Sequence, residues 1–311
     1  PQDEHERFLL GKLADIGVDV DWGASLVWLT DHGDHVEATI DDGTSTERSA
    51  HSYVAGCDGA HSAVRGSLGI GFPGGSSEGL FYVADATVRG VKSGGIYLGI
   101  REAGLSLMIP VRSTGTQRLI GVVPTELKLK PDIDFEDLRA HIEHLLGIDV
   151  GEVNWFSTYQ VHHRVAERFG RGRVFIAGDA CHTHSAKAGQ GMNFSMQDGF
   201  NLGWKLAAVL RGQCDPALLH SYSAERQPAA QELIDFDREW AKMFSDRPSD
   251  GSGSAGVDPK EFQRYFERHG RFTAGMGTHY RPSLICGEAT HQHLARGFVI
   301  GTRFHSAPVL R

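Results

Sequence analysis

The chain has 311 residues and a formal net charge of −8, from 31 basic and 39 acidic residues. This length allows one large or two modest domains, and the acidic balance disfavours nucleic acid as a partner. No apolar run approaches the length of a membrane span and no signal peptide opens the chain, so we expect a cytoplasmic protein without a membrane partner. The four cysteines form no CxxC pair and the 17 histidines show no HExxH spacing, which predicts free thiols and no metal site.

The N-terminal part predicts one amphipathic helix and four strands. The helix covers Gln2–Ile16, and the strands are Val18–Trp22, Ser25–Thr30, His35–Ile40 and Ser52–Cys57. The last strand runs into Asp58–Gly59, and Ser62 and Arg65 follow on a helical turn, which gives the pattern DGxxSxVR. An alternative interpretation is an Asp-Gly turn that caps a helix, with Arg65 on a solvated face.

The middle of the chain predicts an antiparallel sheet with one helix. Its strands are Leu80–Arg89, Gly95–Ile100, Ser106–Val111, Arg118–Val123 and Asn154–Val165. The helix covers Phe135–Leu146, and Asp134 is placed to cap its N-terminus.

A strand, a glycine-rich loop and a helix follow at residues 173–212. The strand Arg173–Ala177 ends at Gly178–Asp179, and the helix begins at Met192. Apolar residues recur along it at three- and four-residue steps and are expected to be buried: Met192, Met196, Phe200, Trp204, Ala207 and Leu210. The N-terminus of such a helix binds anions, although a plain tight turn is the alternative.

The remaining segments are less regular. A helix is expected from Pro216 to about Phe244, with an interruption near Pro228. Asp246–Val257 is expected to be a flexible loop, and Pro259–His269 a short helix.

Two motifs together resemble a known family. The sequence GDACH…AGQGMN…MQD resembles the second flavin motif of the aromatic-ring flavoprotein monooxygenases, the para-hydroxybenzoate hydroxylase superfamily, and DGxxSxVR resembles its Asp-Gly motif. Within this superfamily, the residues of the second motif are most similar to those of the phenol 2-hydroxylase and 3-hydroxybenzoate 4-hydroxylase branch. The resemblance implies an α/β fold: a partial doubly wound FAD-binding domain at 1–71 and 166–245, an inserted antiparallel-sheet-plus-helix substrate domain at 72–165, and a C-terminal segment at 246–311 packing on both.

The resemblance also implies roles for individual residues. Asp179 would hold the ribityl chain of FAD, and Asp58 and Arg65 would order the loop near the pyrophosphate and the NADPH route. The residues expected along the flavin's pyrimidine edge are Gly189, Gln190, Gly191, Met192 and Asn193, with Gln2 also approaching the flavin. Tyr159 is the substrate candidate, with a tyrosine packed in the sheet as the open alternative. Ala186 replaces the family's proline beside the reactive face of the flavin, which affects the rigidity of that loop.

The activity implied is hydroxylation of a small phenolic substrate with FAD, NADPH and O2, through a flavin C4a-hydroperoxide. The catalytic residues stay unknown, because the family's residue that assists phenol deprotonation has no counterpart in this chain. One alternative is a hydroxylase of a larger polycyclic, antibiotic-type substrate. Another, of a different class, is a catalytically silent remnant that serves as an interaction or structural module.

The family resemblance also bears on completeness and assembly. The family's N-terminal GxGxxG unit and this branch's C-terminal thioredoxin-like domain have no match here, so the chain is interpreted as a fragment that binds FAD weakly or not at all by itself. A homodimer is expected from the family alone.

Overall fold

The computed structural model describes residues 2–90, 95–101, 104–185 and 190–245, together with Arg264, Glu267, His269, Tyr280, Leu284 and Ile285. In chain order the elements are α1 (Gln2–Asp15), β1 (Ser25–Asp31), β2 (Val36–Asp41), β3 (Thr46–His51), β4 (Val54–Gly56), α2 (Ala63–Ser67), β5 (Gly74–Arg89), β6 (Tyr97–Arg101), β7 (Gly104–Val111), β8 (Thr116–Val122), α3 (Phe135–Leu146), β9 (Asp149–Val165), β10 (Gly170–Arg171), β11 (Val174–Ile176), β12 (His182–Thr183), α4 (Gly191–Leu210) and α5 (His220–Ser245). This alternation of helices and strands confirms the predicted α/β class.

The chain divides into two compact units. The first, which we call the sheet unit, comprises Pro1–Gly23, Ser76–Val161 and Phe244–Val257. The second, the motif unit, comprises Ala24–Gly75, His162–Met243 and Asp258–Arg311. The domain boundaries drawn from the family resemblance stay predictions, and the elements expected at 246–257 and 259–269 lie almost entirely outside the described residues.

The sheet unit is built on antiparallel strands covered by α3. The strands belong to a six-stranded sheet of order β12-β9-β5-β8-β7-β6. Asp134 accepts a hydrogen bond from the backbone N–H of Asp137, whose side chain accepts one from Asp134 N–H, so this capping box fixes where α3 begins. The helix packs apolar residues at helical spacing onto the sheet: Phe135, Leu138, Ile142 and Leu145. The prediction for this helix and its cap is confirmed.

The motif unit contains two small sheets. One is antiparallel, with order β1-β2-β3, and the other has order β10-β11-β4, with β11 parallel to β4. Strand β3 was not predicted, because its sequence TERSAH is polar and its side chains are mostly exposed.

The N-terminal segment differs from expectation in two ways. Helix α1 forms as predicted, but none of its residues is buried. The strand expected at Val18–Trp22 is wrong, since the backbone there is a turn and unpaired coil. Val18 and Trp22 are exposed, so the apolar residues that suggested a strand have no partner surface within the described residues.

The buried face of α4 is the opposite of the predicted one. Its buried residues are Phe194, Asp198, Asn201, Leu202 and Lys205. Phe200 is 78% exposed, and Met192, Met196, Trp204 and Leu210 are also exposed. The apolar spacing gave the wrong face because buried partners on α5 offset the cost of burying the polar side chains of α4. Periodicity along the sequence does not reveal such partners.

Helix α5 continues through Pro228, so the expected interruption is wrong. Residues on either side of Pro228 are buried in the core, among them Tyr222, Ala230 and Leu233. Their burial outweighs the backbone hydrogen bond that proline removes. No helix in the described ranges is long and apolar enough to cross a membrane.

Candidate functional site

Strands β4 and β11 bring the two sequence motifs to one edge of a sheet. They are parallel, with Ile176 paired to Gly56, and Ala177 N–H donates to the Gly56 carbonyl at 2.9 Å. Each strand runs directly into its motif, one at Asp58 and the other at Asp179. Ligands of open α/β sheets bind at the carboxyl ends of such strands, so this edge is the candidate site.

The Asp58 carboxylate organises the first motif. It accepts a hydrogen bond from Ser62 Oγ at 2.5 Å and another from Val64 N–H at 3.0 Å. A Cβ on Gly56 would lie 2.5 Å from Cβ of Val64, so glycine permits the strand and α2 to approach this closely. The N-cap of α2 is Ser62, whose Oγ accepts from Arg65 N–H at 2.9 Å, and Asp58 is a second acceptor at the start of this short helix.

Arg65 joins the first motif to the second. Its Nη1 donates to the Ala180 carbonyl at 2.9 Å, and its Nη2 donates to the Ala60 carbonyl at 2.7 Å. Its guanidinium lies 3.9 Å from the ring centre of Phe72, close enough for a cation–π contact. All three contacts hold the Arg65 side chain between the two motifs. The alternative that placed it on a solvated helix face is therefore wrong.

The second motif turns sharply after β11. Gly178 has a φ of +64°, a left-handed conformation that favours glycine, and it begins the 3-10 turn Gly178–Ala180. This turn leaves Asp179 exposed at the strand end. Further along, Gln190 precedes α4 and its side chain makes no capping hydrogen bond, so the first N–H groups of this helix are not satisfied by a side-chain cap there.

A buried ionic cluster holds the start of α4 against α5. Asp198 Oδ2 is 2.7 Å from His182 Nε2, and Asp198 Oδ1 accepts from Arg226 Nε at 2.6 Å. Asp198 Oδ2 also accepts from Gly178 N–H at 3.1 Å. Burial raises the pKa of Asp198, but the His182 hydrogen bond and the Arg226 charge outweigh burial and hold that pKa below its usual value. Burial lowers the pKa of Arg226, and the Asp198 charge reverses this and raises it.

A second buried pair lies further along α4. Lys205 Nζ donates to Glu225 Oε2 at 2.7 Å and to Asn201 Oδ1 at 2.8 Å. Both charged side chains are almost fully buried, which requires such pairing.

A third group of buried polar residues lies where the second motif enters its loop. Asp237 on α5 accepts from Ser185 N–H at 2.7 Å and from Ser185 Oγ, and its Oδ2 lies 2.8 Å from His163 Nε2. The sequence offered the motif MQD as a signal for Asp198, but it was taken only as part of a resemblance. It offered none for His163 and Asp237, which come together only through the fold.

The other predicted site residues are distributed over both units. Gln2 begins α1 and Tyr159 lies on β9, both in the sheet unit. The ring of Tyr159 stacks 5.7 Å from that of Phe81. In the motif unit, Gln190 is buried and Gly191, Met192 and Asn193 form the first turn of α4. Ala186 and Gly189 lie outside the described residues. No cluster of metal-ligating side chains occurs in the described part of the chain.

The groups at this edge suit the flavin cofactor that the motifs imply. The Asp179 carboxylate is exposed to accept hydrogen bonds from hydroxyl groups, and the N-terminus of α4 presents N–H donors to an electron-rich oxygen. Thr183 Oγ1 and His182 Nδ1 are buried beside the motif and have no hydrogen-bond partner among the residues described.

Sequence comparison connects these motifs to characterised enzymes. The chain is 52% identical over 283 residues to a 3-hydroxybenzoate 4-monooxygenase of Comamonas testosteroni, covering 83% of this chain and 44% of that protein. It is 38% identical over 256 residues to the phenol 2-monooxygenase fsqG of Aspergillus fumigatus, covering 78% of this chain and 41% of that protein. The chain thus spans less than half the length of these two relatives.

Comparison of structures and family models leads to the same group. The anhydrotetracycline hydroxylase OxyS of Streptomyces rimosus superposes with a TM-score of 0.74 at 28% identity, over 93% of this chain and 59% of OxyS. Residues 1–237 match the family model described as an FAD binding domain. The chain therefore belongs to the FAD-binding-domain family that includes the FAD-dependent aromatic-ring hydroxylases.

Proposed function

We propose that the protein is a flavin-dependent monooxygenase that hydroxylates a phenolic ring with FAD, NADPH and O2. The observation that carries the proposal is the hydrogen bond from Arg65 to the Ala180 carbonyl, which joins the two motifs at the carboxyl ends of adjacent parallel strands. The 52% identity to a 3-hydroxybenzoate 4-monooxygenase supports the reaction type.

Residues of the motif unit would bind and orient the cofactor. Asp179, exposed at the end of β11, would accept hydrogen bonds from the ribityl hydroxyls. The N-terminus of α4, from Gly191 to Asn193, would hold the electron-rich edge of the flavin ring through its N–H groups and dipole. When bound, FAD supplies the redox chemistry that activates oxygen. Arg65 holds the turn around Ala180 in place, which fixes the direction of the Asp179 side chain.

The substrate would be a small phenol that meets the sheet unit at Tyr159. The ring of Tyr159, which stacks on the buried ring of Phe81, would supply the aromatic contact, and its hydroxyl would form a hydrogen bond with the phenolic oxygen. No residue of this chain is assigned as the general base. A small substrate that carries a carboxylate is the first candidate, because the 3-hydroxybenzoate enzyme is 52% identical.

A larger, polycyclic substrate is the second candidate. It is favoured by the structural likeness to OxyS, an anhydrotetracycline hydroxylase, at a TM-score of 0.74. A panel of phenol, 3-hydroxybenzoate and anhydrotetracycline discriminates between the two, because only a true substrate couples NADPH consumption to a product heavier by one oxygen atom.

The experiment uses the natural protein that contains this sequence. Purified protein is supplied with FAD and NADPH, and products are identified by mass spectrometry with each member of the panel. We expect coupled hydroxylation of 3-hydroxybenzoate or phenol, and loss of the coupling in Tyr159→Phe. If flavin is bound but none of the panel is hydroxylated, the phenolic assignment fails. If no flavin is bound at all, the alternative of a catalytically silent module replaces the enzyme.

A further inference from the structure

We propose that Asp198 on α4 is a positioning residue that fixes the direction of Asp179, the residue assigned to the ribityl hydroxyls of the flavin. The proposal rests on the proposed function, because Asp179 has this role only if the site binds FAD. Asp198 belongs to the sequence MQD, which contributes to the family resemblance, but the resemblance assigns it no role. Its side chain reaches the turn that carries Asp179.

The Asp198 carboxylate holds this turn on both sides of Asp179. Asp198 Oδ2 accepts a hydrogen bond from Gly178 N–H at 3.1 Å, and the same oxygen lies 2.7 Å from His182 Nε2. Gly178 directly precedes Asp179, and His182 follows it by three residues. One side chain therefore spans the turn, from the residue before Asp179 to the start of β12.

The turn needs such a contact because the Asp179 side chain is not held by packing. Asp179 is exposed, whereas its neighbours Gly178 and Ala180 are buried. Gly178 has a φ of +64°, so the backbone of this turn sets the direction in which the Asp179 side chain leaves the chain. A binding group that moves by about 1 Å loses much of its contact with a ligand, so the rigidity of the turn affects affinity.

The Asp198 side chain is itself held in one orientation. Its Oδ1 accepts from Arg226 Nε at 2.6 Å. Arg226 also donates to the Phe194 carbonyl at 3.1 Å and to Gln197 Oε1 at 3.2 Å. The side chains of Asp198 and Arg226 are fully buried and that of His182 is 1% exposed, so water has little access to these bonds.

The turn also packs directly against α4. A Cβ on Gly178 would lie 3.2 Å from Cβ and Oγ of Ser195, so glycine permits this close approach. Ser195 Oγ donates to the Gly191 carbonyl at 3.0 Å, within the first turn of the helix. Asp198 lies three residues beyond Ser195, so both residues belong to the face that receives the turn. Asp179 is thus fixed relative to the N-terminus of α4, the other proposed flavin contact.

A second buried ion pair on the same two helices provides a matched control. Glu225 Oε2 accepts from Lys205 Nζ at 2.7 Å, and both side chains are about as deeply buried as that of Asp198. Lys205 lies seven residues beyond Asp198, which places it about 10 Å further along α4. Glu225→Gln therefore removes a buried charge of the same kind at a distance from the turn.

The first test compares Asp198→Asn with Glu225→Gln in the natural protein that contains this sequence. Asparagine keeps the shape of the side chain but has a single acceptor oxygen for the donors that meet there. Peptide-resolved hydrogen exchange is measured without flavin. We expect exchange of residues 177–183 to rise about tenfold more in Asp198→Asn than in Glu225→Gln. An equal rise in both variants would overturn the proposal.

FAD affinity then tests whether Asp198 acts through Asp179. Fluorescence titration is carried out on Asp198→Asn, Asp179→Ala and the double variant. Each single variant is expected to bind FAD about tenfold more weakly, and the double variant within about twofold of Asp179→Ala, because Asp198 has nothing left to position. Losses that multiply to about a hundredfold would overturn the proposal, since a general loss of structure acts independently of Asp179.

A further pair of variants keeps the test decisive if Asp198→Asn does not fold. His182→Ala removes one of the two contacts with the turn and leaves Arg226 paired with Asp198, so FAD affinity is expected to fall about threefold. His182→Gln offers an amide N–H in place of Nε2 and is expected to restore the affinity. Equal affinity of wild type and His182→Ala, or no recovery in His182→Gln, would overturn the proposal.

The two readouts also separate this proposal from the proposed function. If the wild-type protein binds no FAD, the proposed function fails. Hydrogen exchange without flavin still decides whether Asp198 holds the turn, because that measurement needs no cofactor.

Discussion

Helices α3 and α4 are held in place by different kinds of contact. Helix α3 in the sheet unit buries Phe135, Leu138, Ile142 and Leu145, whereas its charged residues Arg139 and Glu143 are only partly buried. Helix α4 in the motif unit buries Asp198, Asn201 and Lys205 and exposes Phe200 and Trp204. Helix α3 is attached mainly by apolar burial, whereas α4 adds fully buried hydrogen bonds and charge pairs with α5 to the apolar burial of Phe194 and Leu202.

The difference lies in how deeply each helix buries its charged side chains. Arg139 and Glu143 of α3 bind the backbone of Val150 from partly buried positions, whereas Asp198 and Lys205 of α4 are fully buried. Buried ion pairs lose much of their Coulombic gain to desolvation, so they are weak evidence for stability, but they have strict geometry. Because its geometry is strict, the cluster around Asp198 fixes the orientation of α4, as the proposed flavin site at the N-terminus of this helix would require.

The largest expected effect comes from the buried guanidinium. Arg226→Met removes the cationic partner of the buried Asp198 carboxylate and leaves it with only His182 and Gly178, so we expect it to lower the free energy of unfolding by about 3–5 kcal/mol. Arg89→Met is the control in the sheet unit, because the Arg89–Asp149 pair is exposed and is worth about 1 kcal/mol or less. Urea unfolding of both variants checks this, and equal losses would contradict the account.

Truncation of apolar side chains is expected to have the next largest effect, and its cost in unfolding free energy is expected to differ between α3 and α4. Leu138→Ala creates a cavity under α3 and is expected to lower the unfolding free energy by about 2–5 kcal/mol. Phe200→Ala on the exposed face of α4 is expected to change it by about 0.5 kcal/mol or less. A loss above about 2 kcal/mol for Phe200→Ala would show that this face is covered in the natural protein.

Acid is expected to open the motif unit before the sheet unit. The pKa values of Asp198 and Asp237 are lowered in the folded state, so their stabilisation is present above the unfolded value of about 4 and is lost as the pH falls through the folded values. Peptide-resolved hydrogen exchange from neutral pH to about pH 3 measures this. Earlier opening of α3 than of α4 would be the opposite result.

The smallest expected loss of stability comes from removing a capping aspartate, and it is expected to be equal in the two units. Asp134 caps α3 and Asp215 caps the 3-10 turn that leads into α5, each through a carboxylate that accepts a backbone N–H. Alanine at either position is expected to cost about 1 kcal/mol, because caps of this kind depend on local geometry. Thermal unfolding compares them, and a cost several times larger at Asp215 would mean that the cap is coupled to the buried charges.

The predictions from sequence succeeded where the residues that determine an element lie within that element or next to it. Asp134 and the apolar spacing of α3 are local, and the bounds Phe135–Leu146 are confirmed. Both motifs were also found, because each is a contiguous strand, turn and helix. The face of α4 could not be predicted in this way, because its buried charges depend on partners on α5 that are distant in sequence.

The contacts that the sequence did not predict are hydrogen bonds between residues far apart in the chain. The link from Arg65 to Ala180 joins positions 115 residues apart, and that from His163 to Asp237 joins positions 74 apart. No pattern along the chain records such pairs. The resemblance to the flavin family predicts roles for Asp58 and Asp179, and these stay predictions, whereas the structure supplied the contacts that hold their surroundings.

The central claim is that the two motifs together form a flavin site, and FAD affinity in the natural protein tests it most directly. Fluorescence titration compares wild type with Asp179→Ala, and Asp215→Ala serves as an exposed aspartate control. Loss of the ribityl hydrogen bonds is expected to weaken FAD binding about tenfold or more in Asp179→Ala and to leave the control unchanged. Equal FAD affinity in all three proteins would contradict the claim.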